Sequence, residues 1–81
     1  MMPLIFARPG DRIAIKKVGG SSDTRRFLNN LGFVEGGKIT VITENGGNLI
    51  VNVKEARVAV SREMAGRIIV AGPAEQEGTG K

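Results

Sequence analysis

Apolar and polar residues change period several times along the chain, and each change marks an element. Residues 12–18, RIAIKKV, alternate, with Ile13 and Ile15 on one face, which predicts a strand. The stretch before it, RPGDR, is turn chemistry, because Pro9 presets its own φ and Gly10 tolerates a positive one. GGSSD then breaks the strand. From residue 22 the spacing becomes helical. Thr24, Phe27, Leu28 and Leu31 follow i, i+3, i+4, i+7 and share one face, which makes Phe27 a core residue. Ser21 or Ser22 can cap this helix, Asp23 suits its first turn, and Gly32 stands where a left-handed residue ends it. Arg25, Arg26, Asn29 and Asn30 point away from the apolar stripe.

The period returns to two from Lys38, with Ile39, Val41 and Thr43 on one side. Asn45-Gly46 is a strong hairpin signal, and NLIVNV returns with Leu49, Val51 and Val53 on one face. KEA offers a weaker turn into a third strand of the meander, RVAV. Ser61 can cap a single helical turn, SREMAGR, and IIV at 68–70 closes the pattern. The expected fold is mainly β. It is a small, partly open barrel of about five strands, with one helix between strands 1 and 2 and a short helical turn before the last strand. Curling such a sheet buries its apolar face and shortens its exposed edges. The domain is expected over 1–70. The tail 71–81, AGPAEQEGTGK, has no apolar period and is expected to be disordered.

Composition narrows the chemistry. The 81 residues hold one thin core and leave no room beside it for a deep substrate cleft. The absence of Cys removes disulfides and thiolate metal sites, and the absence of His removes the usual general base and imidazole ligand. Asp11, Asp23, Glu35, Glu44, Glu55 and Glu63 fall in turns and helix starts, without a converging pair for acid–base work. These readings give a non-enzymatic chain with no catalytic, cofactor or metal-binding residues assigned. The net charge of +4 sets a modest positive field. No apolar stretch reaches the roughly 20 residues of a membrane-spanning helix, and no basic region precedes the short apolar N-terminus. A cytosolic protein without membrane insertion is therefore expected.

One motif invites a nucleotide. Gly32, Gly37 and Lys38 have P-loop spacing. The context is reversed, because a helix precedes these glycines and a strand follows them, whereas a phosphate needs the N-terminus of the following helix. Ile39 stands where the magnesium-binding hydroxyl belongs, and Glu35 inside the loop repels phosphate. The plainer reading is a helix cap at Gly32 and a turn at Glu35-Gly36-Gly37. Binding of nucleic acid is the alternative for a small basic barrel, but Phe6, Phe27 and Phe33 are the only aromatics. Phe27 is assigned to the core, Phe33 to a contact with Leu28 at the helix end, and Phe6 to packing across the barrel end. Nucleic acid is therefore not the expected partner. An apolar patch left exposed on the helix with Arg25 and Arg26 at its rim suits protein docking.

The order of elements and glycines in RRFLNNLGFVEGGKITVI resembles the L-x-x-L-G-x-x-x-G segment of FeoA-family proteins, carried by Leu28, Leu31, Gly32 and Gly36 and the strand through Val41. GGNLIVNV and RVAVSREMAGRIIV are similar to the remainder, with Glu63, Ala65, Ile68 and Val70 at the closing turn and strand, and Leu4, Ala7 and Gly10 fit the opening. The resemblance covers about residues 2–70. It implies an SH3-like barrel and an accessory role in bacterial ferrous iron transport. The implied partner is the cytoplasmic GTP-binding domain of the ferrous iron permease, which allows a peripheral place at the inner membrane. The same fold implies, as an alternative, a regulatory module of an iron-dependent repressor system. The family's tie to transition metal ions would then run through the partner, since a chain without His or Cys is a poor iron carrier. The partner-facing residues expected are Arg25, Arg26, Leu28, Leu31 and Phe33, with self-association left open.

Overall fold

The computed structural model describes residues 1–72. Two short segments open the chain, a strand β1 (Met2–Pro3) and a 3-10 turn (Leu4–Phe6). Then follow β2 (Arg12–Val18), α1 (Ser22–Leu31), β3 (Lys38–Asn45), β4 (Asn48–Val53), β5 (Ala56–Ser61), α2 (Arg62–Ala65) and β6 (Ile68–Val70). The six strands form one antiparallel sheet in the order β1-β6-β2-β3-β4-β5, which is not closed. The expected count of about five is short by β1. Two residues carry no period, so only pairing of Met2 with Val70 and Pro3 with Ile69 makes them a strand. The long helix therefore lies between the second and third strands.

Each turn in the meander follows from its residues. β3 and β4 are joined by Gly46 and Gly47, with Asn45 opposite Asn48. Both glycines have positive φ, 60° and 87°, as a two-residue turn between right-twisted strands requires. The turn is thus centred one residue later than the Asn-Gly signal. Between α1 and β3, the Gly37 N–H donates to the Val34 carbonyl at 3.0 Å, and Gly36 supplies the positive φ of 84° within that turn. The suspected phosphate loop is this turn.

Core and surface alternate as expected except at two bulges. Ile13 and Ile15 face inward, but an irregularity between Ile15 and Lys17 shifts the parity so that Val18 returns to the core. A second shift between Val41 and Thr43 turns Thr43 outward, opposite Ile50. Thr43, expected beside Ile39 and Val41, is exposed for that reason. The core joins Leu4, Ile13, Ile15, Leu28, Phe33, Ile39, Val41, Val51, Ile68 and Val70 with their neighbours. α2 packs against β4, β5 and the 3-10 turn. Its cap is Ser61, whose hydroxyl accepts from the Met64 N–H at 3.2 Å.

The domain runs beyond residue 70. Ala71 is buried, and its N–H donates to the Ala14 carbonyl at 3.0 Å, extending the link from β6 to β2. Gly72 is buried as well. The expected disorder therefore does not hold for these two residues, and the rest of that expectation, 73–81, lies outside the described residues.

Candidate partner-binding surface

α1 begins and ends on side-chain and backbone chemistry that fixes its direction. The Ser21 hydroxyl accepts from the Thr24 N–H at 3.2 Å, and Asp23 lies in the first turn. At the other end Gly32 adopts φ 110°. The Gly32 N–H donates to the Asn29 carbonyl and the Phe33 N–H to the Leu28 carbonyl, each at 3.0 Å. This is a Schellman arrangement, whose usual partner is an apolar contact between the residue after the glycine and the third-last helical position. Phe33 and Leu28 hold those places, and both are fully buried at 0% exposure.

The five residues expected to face a partner therefore divide. Arg25 and Arg26 are exposed, and Leu31 is half-buried against the core. Leu28 and Phe33 are core residues and offer no side-chain surface; they position the helix. Phe27 reverses its expected role, because it is 51% exposed. A ten-residue helix meets this small sheet along a line through Leu28, and Phe27 stands about 100° around the axis from it. Phe6, expected to pack across the barrel end, is 64% exposed.

The polar side of α1 is also shaped. Ser22, Arg25, Arg26, Asn29 and Asn30 line a groove of about 530 Å³ against Val18, Val34 and Glu35. The spacing 22, 25, 26, 29 is the same helical period that placed the apolar stripe, so this face was readable in the sequence. What it lies against was not, because Val34 and Glu35 reach it through the turn. The groove presents two guanidinium groups, two amides and one carboxylate. It suits polar and charged contacts rather than burial of a small molecule. Among the described residues there is no group of three or more His, Cys, Asp or Glu side chains able to hold a metal ion. Nor is any helix among them long and apolar enough to cross a membrane.

Comparison with known proteins gives this geometry its family. The FeoA domain model matches residues 2–72, the same span that the structure folds. A protein of Methanocaldococcus jannaschii named putative Fe(2+) transport protein A is 31% identical over 70 residues, covering 86% of this chain and 85% of its own. A crystal structure of an iron uptake regulatory protein, FeoA, superposes with a TM-score of 0.81 at 30% identity, covering 86% of this chain and 93% of the other. A Stenotrophomonas maltophilia FeoA, crystallised with zinc and described as a prokaryotic SH3 domain protein, gives a TM-score of 0.79 at 26% identity over 95% of this chain and 96% of that one. The six-stranded sheet is thus SH3-like. On the match of nearly every described residue and the agreement of fold, the chain belongs to the FeoA family.

Proposed function

We propose that this chain is a non-enzymatic accessory protein of ferrous iron uptake that docks on the cytoplasmic GTP-binding domain of a ferrous iron permease. Family membership supports the pathway. The observation that carries the docking surface is Phe27, a large aromatic left 51% exposed on α1 next to Arg26 in the chain. Exposed aromatics flanked by arginine are the side chains that most often anchor protein interfaces. The chain works in the cytoplasm and reaches the membrane through its partner. It touches the iron pathway through protein contact, since it brings neither imidazole nor thiolate to a metal.

The test is capture of the permease's soluble GTP-binding domain by the purified chain, with and without guanine nucleotide. Phe27→Ser and Arg26→Glu each change an exposed side chain and leave the core alone. Each is expected to weaken binding about tenfold, equivalent to ~1.4 kcal/mol, with an unchanged unfolding midpoint. Wild-type affinity in both variants would sink the α1 surface, and absence of binding by the native chain would sink the partner. Stoichiometric tight binding of ferrous iron by the isolated chain would overturn the indirect role in iron handling.

A further inference from the structure

The outer face of the sheet carries a second concentration of charge, away from α1. Arg12 on β2 lies opposite Thr40, and Ala14 lies opposite Lys38. Thr40 is paired in turn with Asn52 on β4. β4 ends at Val53, opposite Ile39, and Lys54 follows it in the turn to β5. Lys16 follows at the bulge where β2 leaves β3 for β6. Arg12, Lys16, Lys38 and Lys54 are all exposed, and they line one concavity of about 730 Å³ whose floor includes Ala14, Thr40 and Asn52. No carboxylate lines it. The ion pairs elsewhere, Arg62 with Glu44 and Arg67 with Glu63, use other cations, and none of these four is paired among the described residues. Asp11, next to Arg12 in sequence, accepts from the Arg8 N–H at 2.9 Å.

This arrangement works against the fold. Like charges gathered around one concavity repel one another. Lys54 adds backbone strain, because at φ 56° it is the only non-glycine with positive φ among the described residues. A glycine or asparagine there would relieve that strain, and an acidic residue at either 38 or 54 would relieve the repulsion. The Lys54 stem lies near Gly32 at the C-terminal end of α1, where a cation is favourable; Arg12, Lys16 and Lys38 have no such counterpart among the described residues.

We propose that this concavity binds an acidic polypeptide segment of a partner protein. The field of four cations, unpaired among the described residues, selects an anionic partner. The concave shape at the strand corner suits an extended chain better than a flat bilayer. Thr40 and Asn52 on the floor supply hydrogen-bonding groups for such a chain. Three of the four cations are lysines, whose mobile stems suit carboxylates at variable spacing, whereas arginine forks suit planar phosphate recognition. The exposed apolar residues Met1, Phe6 and Phe27 are not among the lining residues. The face therefore has no wedge for lipid and no platform for stacking bases. This inference does not rest on the α1 surface, since the two share no residue.

The experiment is an NMR titration of the isotopically labelled full chain with an oligo-glutamate peptide. Phosphatidylserine vesicles and a single-stranded oligonucleotide are titrated in parallel at the same ionic strength. The peptide is expected to shift the amides of 12–16, 38–40 and 52–54 saturably, with affinity that falls as salt rises. Lys38→Glu is expected to lose about tenfold in peptide affinity while raising Tm, a pairing of effects that mere structural damage does not give. The proposal fails if the shifts map to Arg25 and Arg26 instead, or if Lys38→Glu binds the peptide as the native chain does. Tighter binding of vesicles or of the oligonucleotide than of the peptide would overturn it equally.

Discussion

Gly32 carries two constraints at once. Its φ of 110° lies where L side chains are strained, and a Cβ there would stand 3.2 Å from Val53 Cγ2. Gly32→Ala is therefore expected to destabilise by about 1–2 kcal/mol or more, read as a lower urea midpoint with an unchanged slope. The two residues that this glycine brings together, Leu28 and Phe33, are both fully buried. Leu28→Ala should cost about 2–5 kcal/mol, a large share of what so small a domain has. Loss of function in that variant reports unfolding and says nothing about an interface, whereas Phe27→Ser separates the two. Leu28 and Phe27 are adjacent in the chain and read alike by hydropathy. Only the line along which the helix meets the sheet tells them apart.

Among the elements, α1 is the most dependent on its ends. Leu28 is its one fully buried residue, with Leu31 packed beside the core, so a single line of contact anchors it and the caps hold its ends. Ser21→Ala is expected to cost about 1 kcal/mol, and its effect should concentrate in α1, where hydrogen exchange of the helical amides would quicken ahead of global unfolding. Exchange in β3 and β4, which are paired on both sides, should remain slow. Helix, caps and the β3–β4–β5 meander were legible because each is set by local chemistry: a serine hydroxyl, a glycine at positive φ, an apolar alternation. The strand β1 was not, because a two-residue strand exists only through its neighbour. The bulges were not either, because an unpaired residue is defined by the register of another strand. Those two bulges nonetheless decide that Val18 is core and that Thr43 is surface.

At the scale of the molecule, charge separates two faces of different use. α1 exposes an aromatic and, further round its axis, two arginines, and the sheet face holds four cations that are unpaired among the described residues, without an apolar residue exposed among them. Screening should tell them apart. Raising salt is expected to weaken binding at the sheet face steeply and binding that rests on Phe27 only modestly, measured on Lys38→Glu and Phe27→Ser against the native chain. The described residues contain no cluster of three or more metal-ligating side chains, and a chelator is expected to leave Tm unchanged.

What the sequence determined by itself was whatever local energy decides. The periods of the strands, both serine caps, the cap glycine and the turn after it are all specified by residues within a few positions of one another. The family resemblance, which the comparisons bear out, rests on those same residues. Tertiary structure alone decided which apolar side chains reach the core and which cations share a face. Phe27 lies outside because a ten-residue helix touches a small sheet along one line. Lys16, Lys38 and Lys54 meet because strand pairing brings together positions up to 38 residues apart in the chain. Hydropathy assigns each residue a preference, but an open sheet of this size has too little interior to satisfy every preference, and register settles which are met.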